Sequence, residues 1–263
     1  MAGRIIRTDE WGDRLLARPL AAVIVAAVKG TPITPNGLTF IATLFGIAVG
    51  LCLGWGYGLA AGIAIVAYLV FDCTDGQLAR IRGTGGPMGR IADGIGDYIT
   101  AIAVHVGLIA WLVKDHGWAY GLSMGFAAGA SMAWTSLLFD RYKRRYAASE
   151  DKVGEFEVLL EGASGLRGFL IRRFIPYVNN VTQGRRVLDL DAYRERVGGL
   201  MHGWLWTGPT SHFLVMAVLV ALHRPMLYAW VCVVPLNLLS VALLVLQARG
   251  ERREPALLES RAP

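Results

Sequence analysis

Apolar residues in this chain do not alternate with polar ones. They gather in long runs, and the charged residues sit between the runs. A bilayer core takes about 20 apolar residues per helix. Six stretches approach that length: about Leu38 to Leu53, Tyr57 to Leu78, Ile91 to Val113, Trp118 to Leu138, Gly199 to Leu222 and Met226 to Leu246. Gly208-Pro209 interrupts the fifth, and Pro235 lies inside the sixth. Membrane helices tolerate such prolines where neighbours take up the freed carbonyls. The pattern predicts an all-α integral membrane protein with six transmembrane helices.

A shorter run precedes them. Trp11 to Val28 carries Asp13, Arg14 and Arg18 early, then turns apolar up to Lys29. Arg4 and Arg7 ahead of an apolar run could suggest a signal peptide. No cleavage region follows, and Lys29-Gly30-Thr31-Pro32 leads straight into the first span. An amphipathic helix lying in the membrane interface is the expectation. The organisation read from this is an N-terminal interfacial helix at 1–30, a six-helix membrane domain at 31–250 and a tail at 251–263. Within the domain, 140–197 is the one long polar stretch, and Phe169 to Ile175 reads as a surface-hugging amphipathic helix.

Composition agrees. Of 263 residues, 54% are hydrophobic and only 17% charged, against about 25% charged in soluble domains. Mean hydropathy is +0.45. These values exclude a disordered chain and a disulfide-stapled secreted module. The net charge of +6 reports cytoplasmic loops, not nucleic-acid binding. The links at 54–56, 114–117 and 223–225 carry little charge. The opposite side holds Arg14, Arg18, Lys29, Arg80, Arg82, Arg90, Arg141, Lys143, Arg144, Arg145 and Arg249. By the positive-inside rule that side is cytoplasmic, and both termini lie there. Cys52, Cys73 and Cys232 follow no metal or disulfide spacing.

The chemistry lies at the cytoplasmic ends of the second and third spans. Asp72 and Asp75 are three residues apart, and Asp93 and Asp97 four apart, so each pair shares a helix face. A short hairpin, Gly83 to Pro87, makes the two helices antiparallel neighbours, so the acidic faces can converge. Four carboxylates beside hydrocarbon repel one another and are costly to desolvate. A divalent cation removes that cost, and an all-carboxylate ligand set favours Mg²⁺, Mn²⁺ or Ca²⁺ over zinc. Four carboxylates can hold two ions. Gly76 and Gly89 lie one turn from Asp72 and Asp93 and leave room for close approach, as Ala79 does less strongly. Arg80 lies one turn beyond Gly76, placed to neutralise a phosphate.

Asp72-x₂-Asp75-Gly76-x₂-Ala79-Arg80-x₈-Gly89-x₃-Asp93-x₃-Asp97 resembles the signature of the CDP-alcohol phosphotransferases. Pro35-Asn36-Gly37-Leu38-Thr39 at the start of the first span also looks like that family. The long segment 140–197 departs from its shorter members. The resemblance implies transfer of a substituted phosphate from a CDP-linked alcohol to a second hydroxyl, with release of CMP. It implies Asp72, Asp75, Asp93 and Asp97 as ligands to Mg²⁺ or Mn²⁺, with two ions expected. It implies Asp97 as the general base, and Gly76, Ala79, Arg80 and Gly89 as the lining of the cytidine diphosphate pocket. The expected partners are a CDP-linked lipid donor, an alcohol acceptor, membrane lipid and a second copy of the chain, with no nucleic acid. The expected site is the cytoplasmic face of the cell membrane.

The favoured donor is CDP-diacylglycerol, and the acceptor a small polar alcohol of the inositol phosphate, glycerol phosphate or serine type. A soluble CDP-alcohol donor with a lipid acceptor would use the same metal site. Intramembrane prenyltransferases use two widely separated aspartate motifs, whereas both pairs here lie in one hairpin. A divalent-cation transporter would carry acids near mid-membrane on several helices. His212, just past Pro209, is a second candidate base. The cluster Arg141 to Arg145 could meet an acceptor phosphate, although orientation and headgroup contact explain it as well. Asn237 reads as an interhelical hydrogen-bonding residue.

Overall fold

The computed structural model describes residues 8–84, 86–147, 187 and 189–253. Among them, six helices are long and apolar enough to cross a membrane: Pro35–Trp55, Gly58–Arg82, Ile91–His116, Trp118–Ala147, Leu190–Ala221 and Pro225–Glu251. The protein is an all-α membrane protein, as its apolar runs predict. The helices are α1 (Arg18–Val28), α2 (Pro35–Trp55), α3 (Gly58–Arg82), α4 (Pro87–His116), α5 (Trp118–Ala147), α6 (Leu190–Trp204), α7 (Pro209–Ala221), α8 (Pro225–Val231) and α9 (Asn237–Arg253). A π-helical turn, Asp13–Ala17, leads into α1, and another, Cys232–Leu236, absorbs Pro235 between α8 and α9.

The fifth span starts about nine residues earlier than the apolar run that announces it. Asp189 makes the difference: its side chain accepts from the Ala192 N–H at 3.0 Å and caps α6. The span then breaks between Trp204 and Pro209, at the predicted interruption. The expected amphipathic helix at 169–175, and most of the polar stretch 140–197, lie outside the described residues.

The described helices fall into two compact units. One is Glu10–Met132 with Pro209–Pro235, and it contains the aspartate-bearing hairpin. The other is Met1–Asp9, Ala133–Gly208 and Leu236–Pro263. In the second, Tyr142 stacks on Trp204 at 4.7 Å, and Glu251 gathers Arg145 (2.9 Å), Tyr193 (3.3 Å) and Gln247 (3.1 Å).

In the first unit α2 and α4 pack almost backbone to backbone. A Cβ at Gly50 would lie 2.3 Å from the Ala103 carbonyl oxygen, and one at Gly107 would lie 2.1 Å from that of Gly50. Gly46 meets Thr100 one turn away. Small residues at every fourth position let membrane helices gain dispersion contact where no hydrophobic effect drives them together. The interior holds Leu53, Ile65, Val104, Leu108, Met216 and Tyr228. Phe40, Leu44, Leu51, Leu59, Ile63 and Ile102 are exposed instead, as lipid-facing side chains should be.

The N-terminal helix is fastened along the C-terminal half of α3. Ala17, Ala21 and Val25 are buried, and Val25 packs with Leu38 and Leu78. The Gln77 amide donates to the Arg18 carbonyl at 3.2 Å. Arg82 donates to the carbonyls of Val28 (3.1 Å), Lys29 (3.2 Å) and Thr31 (2.8 Å), and to that of Ile33. A guanidinium at the C-terminal end of α1 satisfies carbonyls that the helix cannot and complements its dipole. Glu10, only 2% exposed, does the converse at the start of α7. Its carboxylate accepts from the Thr210 N–H (3.1 Å), the Ser211 N–H (2.8 Å) and the Ser211 hydroxyl (2.8 Å). Burial raises the pKa of Glu10 above its ordinary value and Asp13 adds to this, while the bonds from Ser211 and Thr210 oppose it.

Candidate metal centre

The turn between α3 and α4 sets the two acidic faces against each other. Gly83 ends α3 with a positive φ of 64°, a conformation that suits glycine. Its N–H and that of Thr84 reach back to the carbonyls of Arg80 and Ala79 and close the helix. Three residues later Pro87 opens α4 at the position where a missing N–H costs nothing. With so short a link, Asp72 and Asp75 near the end of α3 meet Asp93 near the start of α4.

One carboxylate oxygen from each of Asp72, Asp75 and Asp93 lies within 4.8 Å of the other two. Asp75 is buried and the other two are half-buried. Oxygens sharing a Mg²⁺ sit about 2.0–2.1 Å from it, and those sharing a Ca²⁺ about 2.3–2.6 Å, so opposed ligands are about 4–5 Å apart. The triad therefore fits one hard divalent cation. Among the described residues no lysine or arginine forms a salt bridge with these aspartates. A bound cation would relieve the repulsion between like charges this close, and the all-carboxylate donor set suits an oxygen-seeking ion.

Asp97 stands apart from the triad. It lies one turn beyond Asp93 on α4, and its Oδ1 accepts from the Tyr68 hydroxyl at 2.9 Å. The Thr39 hydroxyl, on α2, donates to Asp75 Oδ2. The pocket residues expected from the sequence lie beside the acids. A Cβ at Gly76 would be 3.6 Å from Arg80 Nη1, so the guanidinium lies over the acidic turn of α3. A Cβ at Gly89 would be 3.8 Å from Asn36 Oδ1, which brings the start of α2 to the start of α4. Ala79 is half-buried and Arg80 exposed.

Sequence reasoning passed over Tyr68 and Thr39. Tyr68 precedes Asp72 by four residues, a spacing that places both on one face of α3, but it sits in an apolar run and read as membrane filling. Thr39 stood in the family-like stretch Pro35 to Thr39 but received no role, because its partner is on another helix. Three weaker candidates have other surroundings. His212 is fully buried, with Nδ1 3.5 Å from Cys232 Sγ. Arg144 pairs with Asp140 at 2.8 Å, and Arg145 with Glu251. Asn237 begins α9 beyond the π-helical turn.

Residues 32–161 match the model of a known family, described as CDP-alcohol phosphatidyltransferase. The matched stretch contains all four aspartates, Gly76, Ala79, Arg80 and Gly89. Residues 32–161 are a CDP-alcohol phosphatidyltransferase domain. Similar proteins include a phosphatidylinositol phosphate synthase of Mycobacteroides abscessus, 31% identical over 104 residues, which are 39% of this chain and 44% of the relative. Proteins of the same name from Mycobacterium bovis and Mycobacterium tuberculosis H37Rv are 37% identical over 81 residues, 30% of this chain and 37% of each relative. The chain thus spans less than half the length of the curated relatives it matches. No solved structure matches it. Within the phosphatidyltransferase domain the acids occupy the hairpin, while α2 supplies Asn36 and Thr39 at its edge.

Proposed function

We propose that this protein transfers the phosphatidyl group of CDP-diacylglycerol to the hydroxyl of a small polar alcohol and releases CMP. The observation that carries this reading is the convergence of Asp72, Asp75 and Asp93 within a phosphatidyltransferase domain. The names of the relatives favour an inositol phosphate as acceptor, ahead of glycerol phosphate and serine.

In this reading Asp72, Asp75, Asp93 and Asp97 hold Mg²⁺ or Mn²⁺, as one ion or two. Such ions would draw charge from the pyrophosphate and make CMP a better leaving group. The acceptor oxygen bonds to the phosphorus that carries the diacylglycerol, and the bond from that phosphorus to the CMP oxygen breaks. Asp97 takes the hydroxyl proton. Oδ1 is engaged by Tyr68, so Oδ2 is the atom left for it. Arg80 neutralises the diphosphate, and Gly76, Ala79 and Gly89 leave space for the cytidine diphosphate to lie against the helix backbones. The lipid enters sideways from the bilayer and the polar substrate from the cytoplasm. Two copies of the chain form the working unit.

The test is CMP release by purified protein given Mg²⁺, CDP-diacylglycerol and a panel of acceptors. Release should require one acceptor and stop in excess chelator. Asp72→Asn, Asp75→Asn and Asp93→Asn should each lower the rate by roughly 10² or more, as loss of an electrostatic stabiliser does. Full turnover in chelator sinks the metal assignment. Release only with a soluble CDP-alcohol and a lipid acceptor reverses the roles of donor and acceptor.

A further inference from the structure

We propose that Tyr68 is a positioning residue for Asp97, fixing which carboxylate oxygen faces the triad. This rests on the proposed function, in which Asp97 acts at the metal or on the hydroxyl. An aspartate on a helix surface turns about two side-chain bonds, and Asp97 is exposed. Asp93, its neighbour one turn away, is a like charge. Among the described side chains of α4, none donates a hydrogen bond that would hold Asp97 in place.

Tyr68 does. It comes from α3, one turn before Asp72, and is only 6% exposed. Its hydroxyl donates to Asp97 Oδ1 at 2.9 Å. The ring is held in turn, edge-on to Phe213 of α7, with centroids 5.3 Å apart and planes at 64°. The donor is therefore fixed by two helices before the carboxylate arrives. A hydrogen bond to a carboxylate is about twice as strong as one between neutral groups. It binds Oδ1 on the α3 side and leaves Oδ2 as the one oxygen free to act. Tyr68 thus links the two acidic faces below the triad, as Thr39 links Asp75 to α2. Partners of this kind, one step removed from a metal, typically change affinity or activity about 10- to 100-fold when lost.

The decisive variant is Tyr68→Phe, which keeps the ring and removes only the hydroxyl. Four quantities are read on the whole chain in detergent: kcat and KM for the CDP-linked donor, Mn²⁺ affinity by electron paramagnetic resonance, and the melting temperature. The expectation is a loss of roughly 10- to 100-fold in kcat, in Mn²⁺ affinity or in both, with donor KM and melting temperature unchanged. Tyr68→Leu, which also removes the ring, should add a lower melting temperature. Parental kcat and Mn²⁺ affinity in Tyr68→Phe overturn the proposal. So does a loss that comes only with a lower melting temperature, which is a packing role. A raised KM at parental kcat also overturns it and assigns the hydroxyl to donor binding. If the parent protein releases no CMP from any CDP-alcohol, the proposed reaction fails, while Mn²⁺ affinity still decides the role of Tyr68.

Discussion

Glu10 lies far from the acids in sequence, yet its removal should be among the costlier single changes outside the site. Pro209 and the two residues after it open α7, and the first turn of a helix has N–H groups with no partner of its own. The residue before Pro209 is Gly208, which has no side chain to cap them. Glu10 supplies the acceptor from the N-terminal segment, with bonds from Thr210 N–H, Ser211 N–H and Ser211 Oγ of 3.1, 2.8 and 2.8 Å. Glu10→Ala leaves two backbone donors and a hydroxyl buried. An unsatisfied buried donor costs about 1–3 kcal/mol. The charge at a helix start contributes up to ~2 kcal/mol in a partly buried setting. Against this stands the cost of burying the carboxylate beside Asp13, which is why its pKa is raised. The net loss should be about 2–3 kcal/mol, and at about 2–4 °C per kcal/mol for a chain of this size the melting point should fall by about 5–10 °C. Glu10→Gln keeps one oxygen and should lose about half as much. Because the folded chain holds the Glu10 proton more tightly than the unfolded chain, stability from this group falls as pH rises from its ordinary value of 4.5 through the raised one. The margin of the parent over Glu10→Gln should therefore shrink as pH rises through that window. Thermal unfolding in detergent, followed by tryptophan fluorescence, reads all three. A Glu10→Ala protein melting within about 1 °C of the parent would refute the capping argument.

Two further predictions concern the frame around the site. Gly50→Ala puts a Cβ 2.3 Å from the Ala103 carbonyl oxygen, so α2 and α4 must separate. The expected cost is about 1–3 kcal/mol, read as a lower melting temperature, whereas Gly30→Ala, with nothing within 4 Å, should melt with the parent. The hairpin between α3 and α4 should face the cytoplasm, so a cysteine placed at the exposed Thr84 should resist an impermeant maleimide on intact cells and react after permeabilisation. Labelling of intact cells would reverse the orientation and move the site to the other face.

Much of this was legible in the chain because membrane helices and paired acids are written locally. The runs of apolar residues marked all six spans, but the fourth helix continues nine residues past its apolar run, through the charged turn Asp140–Arg145 to Ala147, and a cap moved the start of the fifth. Asp189 lengthens α6 through a polar contact that no hydropathy pattern contains. The pairs Asp72 with Asp75 and Asp93 with Asp97 showed through helical spacing, and the glycine hairpin showed that their helices are antiparallel neighbours whose acidic faces can converge. The sequence did not show that the four acids would divide into a close triad and a fourth held by Tyr68. That division depends on the offset between α3 and α4. Nor did it show that Arg82, which read as a cytoplasmic loop charge, caps the N-terminal helix. Long-range hydrogen bonds of this kind leave no periodic trace.

The ligand oxygens come from one hairpin, but their spacing is set by helices outside it. A turn of four residues brings α3 and α4 together without fixing their offset. The α2 helix fixes it twice, through the glycine contact with α4 and through Thr39 on Asp75. The N-terminal helix holds the other side of α3 through Gln77 and Arg82. A separation of α2 from α4 by a few tenths of an ångström would act on Asp93, because the start of α4 moves with its middle. The triad would register such a shift, since its three oxygens, all within 4.8 Å of one another, come from both helices, and a hard divalent cation holds its oxygens at about 2.0–2.6 Å. Gly50→Ala should therefore weaken metal binding as well as lower the melting temperature, even though Gly50 offers no ligand. Mn²⁺ affinity equal to the parent's in a Gly50→Ala protein that melts early would show that the hairpin fixes its own geometry.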